Sequence, residues 1–333
     1  MNTLINSSGE KKMRLEHITN ENGIISALAI DQRGSLKKML ASAAGETSNE
    51  TDIVEFKELI SSELTPYASA ILLDPEYGLP AAEKRAENAG LLIAYEKTGY
   101  DITAPGRMPD LLADWSALKL KEAGADAVKF MLYYDVDEDN EINRQKQAFV
   151  ERIGAESASV NLPFFLELMS YDTKILNTKS QAYAKIKPHK VNEMIKEFSQ
   201  ERYQVDVLKV EVPVDMTFVE GFNENNKSVY SKREAALFFK KQAELTNNIP
   251  FIFLSAGVSA QLFRDTLNFA AQSGSTFNGV LCGRATWRGA VDPFAKEGNE
   301  SGKRWLDTVG RKNIEELNKV LQETANSVFE KLK

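Results

Sequence analysis

Cysteine and histidine are nearly absent from this chain. Among 333 residues there is one cysteine, Cys282, and there are two histidines, His17 and His189. A single thiol closes no disulfide within the chain and fits a reducing compartment. Two histidines argue against a histidine-rich metal centre, so no metal ligand is expected. Long apolar runs are missing as well, and the first ten residues are polar. Neither a membrane span nor a secretory leader is therefore expected, and the expected location is cytoplasmic. Positive charge is in deficit: 41 Lys and Arg face 48 Asp and Glu, a net charge of −7. That balance excludes a general nucleic-acid or membrane-surface role, so any anion must be bound by a local cluster of cations. No linker rich in proline, serine or glycine divides the chain, and no low-complexity tract occurs. Residues 1–333 are expected to form a single domain.

What is present is alternation. Short apolar runs at 24–31, 68–74, 90–95, 125–132, 163–169, 205–212, 250–255 and 278–282 read as strands. Between them lie amphipathic stretches at 51–64, 109–123, 141–159, 190–200, 232–246 and 259–272, and a last one at 315–332. Eight strands, most followed by a helical pattern, predict an α/β fold of the (β/α)8 TIM-barrel class. The run at 90–95 also fits the end of a helix. The polar segments 44–51 and 220–231 read as surface loops.

The chemistry sits inside the strands. In Val207-Leu208-Lys209-Val210-Glu211-Val212, a lysine interrupts a run typical of a strand buried on both faces. A charged lysine is costly there. Burial favours the neutral, nucleophilic amine that Schiff-base chemistry requires. Strand alternation turns Leu208, Val210 and Val212 to the helices, and Lys209 and Glu211 into the barrel. The same parity sends Lys129 inward, between Val128 and Phe130. Lys129 is either an alternative nucleophile or a neighbouring cation that disfavours the ammonium form of Lys209. Glu167, in Phe165-Leu166-Glu167-Leu168, is a candidate acid/base, or an ion-pair partner for these lysines, or both. Asp31 ends the first strand and is placed to bind a substrate hydroxyl or to orient Lys129. Asp74 reads as a strand-end turn. His189 reads as a surface residue at a helix start.

A second signal follows the last two strands, in Ser255-Ala256-Gly257-Val258 and Cys282-Gly283-Arg284. Loops in those positions of such barrels commonly hold phosphate through backbone N–H groups, and an arginine adds a fork of donors. Asp31-Gln32-Arg33-Gly34 after the first strand is a candidate grip for a second anionic group.

Long runs of the chain resemble the class I tagatose-1,6-bisphosphate aldolases of the galactose-6-phosphate pathway. They include Ala27-Leu28-Ala29-Ile30-Asp31-Gln32-Arg33-Gly34, Leu72-Leu73-Asp74-Pro75-Glu76-Tyr77-Gly78, Val128-Lys129-Phe130-Met131-Leu132-Tyr133-Tyr134 and Leu208-Lys209-Val210-Glu211-Val212-Pro213. The resemblance implies a TIM-barrel lyase with Lys209 as Schiff-base lysine and Glu167 as acid/base. It implies substrate contacts near Asp31, Lys129, Ser255, Gly283 and Arg284; Gln32, Arg33, Glu211 and Gly257 are expected beside them as substrate-binding residues. It further implies cleavage of D-tagatose 1,6-bisphosphate to dihydroxyacetone phosphate and D-glyceraldehyde 3-phosphate. Fructose 1,6-bisphosphate is an expected second substrate, no cofactor is expected, and a homo-oligomer, dimer or tetramer, is expected. A retaining glycosidase also pairs carboxylates in such a barrel, but leaves two inward lysines and the phosphate loops unused. A regulator that senses sugar phosphate with an aldolase-like pocket is the alternative outside enzymes.

Overall fold

The eight apolar runs close into a parallel barrel in chain order, each strand hydrogen-bonded to the next and the eighth to the first. The structure, a computed structural model, describes residues 9–45, 49–97, 100, 101, 103–222 and 227–332. Parts of the two expected surface loops, 46–48 and 223–226, and most of the polar N-terminal segment lie outside the described residues. The strands are β1 (Ile25–Ala29), β2 (Ala70–Leu73), β3 (Gly90–Ala94), β4 (Ala127–Tyr134), β5 (Phe164–Ser170), β6 (Val207–Val210), β7 (Phe251–Leu254) and β8 (Gly279–Cys282). Helices α1 (Gly9–Ile18), α2 (Gly34–Ala44), α3 (Glu50–Leu64), α4 (Leu79–Glu83), α5 (Ala117–Glu122), α6 (Asn140–Ser159), α7 (Gln181–Phe198), α8 (Lys232–Leu245) and α9 (Ala260–Gln272) precede and connect them. After β8 come α10 (Arg284–Trp287), α11 (Val291–Glu297), α12 (Asn299–Trp305) and α13 (Arg311–Thr324).

Two buried apolar clusters follow from strand parity. Leu28, Ile71, Ile93, Val128, Leu166, Leu208, Phe253 and Val280 face the helices. Ala27, Leu72, Leu92, Ala127, Phe165, Val207, Ile252 and Leu281 fill the interior. The interior is closed from below by Leu15 and Ile18 of α1 and by Val328. Lys11 of α1 pairs with the buried Asp206 at 2.7 Å, and Asp206 also accepts the Phe164 N–H at 2.8 Å. This plug was not legible in the sequence, because α1 carries few apolar residues and so lacks a recognisable stripe.

Three helical expectations change in extent. Of 109–123 only Ala117–Glu122 is helical. The chain ahead of it bridges back to the end of β3, with Lys97 N–H on Asp110 O at 2.9 Å, and that pairing takes the Asp110 carbonyl that a longer helix would use. The stretch 190–200 belongs to a helix that begins earlier, where Ser180 caps it by accepting from Tyr183 N–H. Pro188 therefore lies inside α7, and His189 lies mid-helix, 3.0 Å from Asp137. The final helix stops at Thr324. Asn278 then donates to the carbonyls of Asn326 and Ser327 at 3.1 and 3.0 Å, turning the chain under the barrel.

Candidate active site

Above the apolar interior the inward positions change from hydrocarbon to charge. Lys129 follows Ala127 on β4, Glu167 follows Phe165 on β5, and Lys209 follows Val207 on β6. Glu167 and Lys209 are direct register partners on adjacent strands. The Lys129 ammonium lies 2.8 Å from Asp31, 2.5 Å from Glu96 and 2.7 Å from Glu167. The other oxygen of Glu167 accepts from Lys209 at 2.9 Å. One carboxylate thus bridges the two lysines.

The two lysines are not equivalent. Burial opposes the charge on Lys129, but Asp31, Glu167 and Glu96 outweigh it and hold its ammonium well above the usual lysine range. A lysine held charged by three carboxylates is a poor nucleophile. Among the described residues Lys209 has one carboxylate partner, Glu167, and shares it. For Asp31, burial pushes the carboxyl up, yet Lys129 and Lys209 hold it well below its ordinary range. Glu167 is likewise held below its ordinary value against burial, first by Lys129 and then by Lys209. Both acids rest as carboxylates.

Glu96 was not singled out by the sequence reading. Its signal was present: Leu92, Ala94 and Glu96 are alternate residues, so the parity that turns Leu92 and Ala94 inward carries on to Glu96. The strand reading of this run stops at Tyr95, and the alternative fit to a helix end leaves the next residue unassigned. Arg33 occupies a different role from the one expected. It is buried, its guanidinium is paired with Glu76, and it donates to the Glu96 carbonyl at 2.8 Å. It braces the loop that carries Glu96. Lys57 of α3 pairs with Asp74 and donates to Ile30 O at 2.7 Å, while Asp74 also caps the turn at Glu76 and Tyr77.

Glu211 also departs from simple parity. β6 ends at Val210, so alternation no longer aims the next side chain. Its carboxylate accepts from Ser170 N–H at 2.7 Å and Ser170 Oγ at 2.5 Å, and stands 3.5 Å from Lys187 of α7. These contacts tie Glu211 to the barrel wall.

The expected phosphate loops do come together. Ala256 and Gly257 are consecutive left-handed residues, with φ of 48° and 74°. Such a turn presents backbone N–H groups on one side. A Cβ at Gly257 would lie 3.4 Å from the Arg284 guanidinium, so the arginine is laid across this turn. A Cβ at Gly283 would lie 3.7 Å from Gln32 Nε2, which brings the loop after β1 to the same rim. The Gln32 side-chain oxygen is buried with no hydrogen-bond partner among the described residues. Ser255 is buried at the end of β7. Cys282 faces the helices, its thiol pushed up by burial and hydrogen-bonded to Thr286 at 3.4 Å.

A (β/α)8 barrel whose mouth holds an inward lysine pair bridged by a carboxylate, beside glycine turns and an arginine, defines the lysine-dependent aldolase class. Residues 25–289 match the family described as DeoC/LacD family aldolase, and the chain belongs to that family. It is 62% identical over 317 residues to tagatose 1,6-diphosphate aldolase 2 of Enterococcus faecalis, covering 95% of each chain. It is 57% identical over 323 residues to tagatose 1,6-diphosphate aldolase of Streptococcus pneumoniae, covering 97% of this chain and 98% of the relative. Among solved structures, fructose-bisphosphate aldolase from Plasmodium falciparum shares the fold, with a TM-score of 0.70 at 16% identity over 96% of both chains. No helix among the described residues is long and apolar enough to cross a membrane.

Proposed function

We propose that this chain is a Schiff-base lyase that reversibly cleaves D-tagatose 1,6-bisphosphate to dihydroxyacetone phosphate and D-glyceraldehyde 3-phosphate. The observation that carries it is the Lys209–Glu167–Lys129 bridge at the barrel mouth. The names of the full-length relatives, tagatose 1,6-diphosphate aldolases, support the choice of substrate.

Glu167 rests as a carboxylate, so its first act is to accept a proton from the Lys209 ammonium. The neutral amine attacks the C2 carbonyl. The carbinolamine loses its hydroxyl as water, with Glu167 returning a proton, and an iminium remains. Glu167, directly or through the network it shares with Lys129 and Asp31, then takes the C4 hydroxyl proton. The C3–C4 bond breaks, the aldehyde forms at C4, and the bonding pair moves into the iminium to give an enamine. Protonation at C3 and hydrolysis release dihydroxyacetone phosphate and the free amine. The iminium serves as the electron sink. Lys129 stays charged throughout and stabilises the carboxylates and the oxygen changing at C4. Fructose 1,6-bisphosphate, the C4 epimer, reacts by the same steps. A sugar-bisphosphate substrate and a single unpaired thiol both suit the cytoplasm.

Incubating the protein with D-tagatose 1,6-bisphosphate tests this reading. Equal amounts of the two triose phosphates are expected, and absence of either product would contradict it. The phosphate contact has its own test. Arg284→Ala is expected to raise KM about tenfold or more with little change in kcat, because a contact to phosphate persists from ground state to transition state. Unchanged kinetics would place Arg284 outside the phosphate site.

A further inference from the structure

The reassignment of Arg33 leaves the second phosphate of a ketose bisphosphate without a cation. One phosphate is accounted for at the rim of β7 and β8 by Arg284 and the Ala256-Gly257 turn. From there the substrate carbon chain has a direction. C2 must meet Lys209 on β6, and C4 must meet the Glu167–Lys129–Asp31 group, which is centred on β5 and β4. In a ring of eight strands, β4 lies opposite β8. The far end of the substrate therefore reaches the rim above β4.

That rim carries an unusual arginine. Arg107 lies in the connection between β3 and β4 and is half-buried. Its guanidinium stands 4.4 Å from the ring centre of Tyr171 and 5.4 Å from that of Tyr133. Tyr133 shares the inward parity of Lys129 and Met131 on β4, two turns of the pleat above Lys129. Burial raises the Tyr133 hydroxyl above its ordinary value, Glu167 adds to the rise, and Arg107 opposes it. Arg107 and Glu167 therefore act on one shared group, which puts Arg107 at the same mouth as the lysines. Tyr100 packs edge-on against Tyr133 at 5.2 Å and completes an aromatic wall.

The guanidinium lies over both tyrosine rings, which stand at 75° to each other. No side-chain hydrogen bond or ion pair of Arg107 occurs among the described residues. The acids closest to this wall are engaged elsewhere: Glu138 accepts the Tyr171 hydroxyl at 3.1 Å, and Asp135 pairs with Lys190. An arginine has five donors in a planar fork, and here none of them is taken by an acceptor among the described residues. Backbone strain accompanies the arrangement. Gly106 and Arg107 are both left-handed, with φ of 79° and 44°, and a non-glycine residue in that region is strained. A Cβ at position 106 would stand 2.6 Å from Ile142, so glycine is required for the turn that delivers Arg107.

The geometry points to Arg107 as the receptor for the distal phosphate of the ketose bisphosphate, its guanidinium held at the mouth by Tyr133 and Tyr171. This assignment rests on the lyase reading above. It makes Arg107 the residue that distinguishes a 1,6-bisphosphate from a ketose 1-phosphate, with the remote phosphate supplying binding energy for orientation at C3–C4.

The test compares kcat/KM for D-tagatose 1,6-bisphosphate and for D-tagatose 1-phosphate in the wild type and in Arg107→Ala. The variant is expected to lose about ten- to hundredfold on the bisphosphate and to stay within about twofold on the 1-phosphate, which has no group for Arg107 to hold. Borohydride trapping of dihydroxyacetone phosphate should be unaffected, since that half of the substrate does not reach this rim. Equal losses on both substrates, or no loss on either, would overturn the assignment. If Arg107→Ala does not fold, Arg107→Lys decides: it keeps the charge, loses the fork, and must still lower the ratio of bisphosphate to 1-phosphate activity. A wild type that cleaves neither substrate would defeat the lyase reading itself, before any variant is compared.

Discussion

Replacing Glu167 by glutamine is expected to lower kcat by about 10²–10⁴-fold while changing KM little, the range contributed by a positioned acid/base. Glutamine keeps the shape, and its carbonyl oxygen still accepts one hydrogen bond, from Lys209 or from Lys129. It cannot accept the Lys209 proton, return it to the carbinolamine hydroxyl, or take the C4 hydroxyl proton. In the proposed mechanism all three transfers pass through this side chain, because among the described residues it alone pairs with both lysines, at 2.9 and 2.7 Å. Single-turnover and steady-state kinetics separate the loss in chemistry from any loss in binding. Near-normal turnover would make Glu167 a structural ion-pair partner and move the proton transfer to Asp31 or Glu211.

Lys129→Met is expected to damage stability and turnover together. Its ammonium is the shared counter-charge of Asp31, Glu96 and Glu167. Removing one partner of a buried ion pair costs about 3–5 kcal/mol, because the charge left behind has no compensation. The loss has a defined pH dependence. In the wild type the Asp31 and Glu167 carboxyls are held below their ordinary range, so they contribute stability above the unfolded carboxylate pKa. That contribution disappears only as pH falls through the depressed folded values. In the variant the largest lowering influence, Lys129, is gone, Lys209 still opposes protonation, and burial favours the protonated acids more than in the wild type. The stability deficit should therefore be full at neutral pH and shrink as pH falls from about 7 to about 4. Denaturant unfolding across that interval measures it. A deficit independent of pH would show that Lys129 serves by packing alone.

Much of this site could be read from residues alone, because parity is a strong signal in buried strands. Lys129, Glu167 and Lys209 each interrupt an apolar run at an inward position, and each lies at the mouth. Glu96 obeys the same rule and was hidden only by the ambiguity of a short apolar run. Past a strand end parity is no longer binding: Glu96, two residues beyond β3, still follows it, whereas the direction of Glu211 is set by Ser170 and Lys187. Arg33 was misleading for another reason. An arginine in a polar turn after a strand looks available for a ligand, and only the fold brings Glu76 and the Glu96 carbonyl to it. The α1 plug and the 325–332 turn depend on tertiary contacts at the barrel floor, which leave no periodic trace. Arg107 is the extreme case. Its position over Tyr133 and Tyr171 joins three separate segments, and nothing in the residues around it marks the encounter.

The central claim is that Lys209, and not Lys129, forms the covalent bond to substrate. Reduction with borohydride in the presence of dihydroxyacetone phosphate, followed by peptide mapping by mass spectrometry, tests it most directly. The account predicts one adduct per chain, on Lys209, and none on Lys129, which three carboxylates hold charged. An adduct on Lys129, or turnover without any trapped adduct, would contradict it.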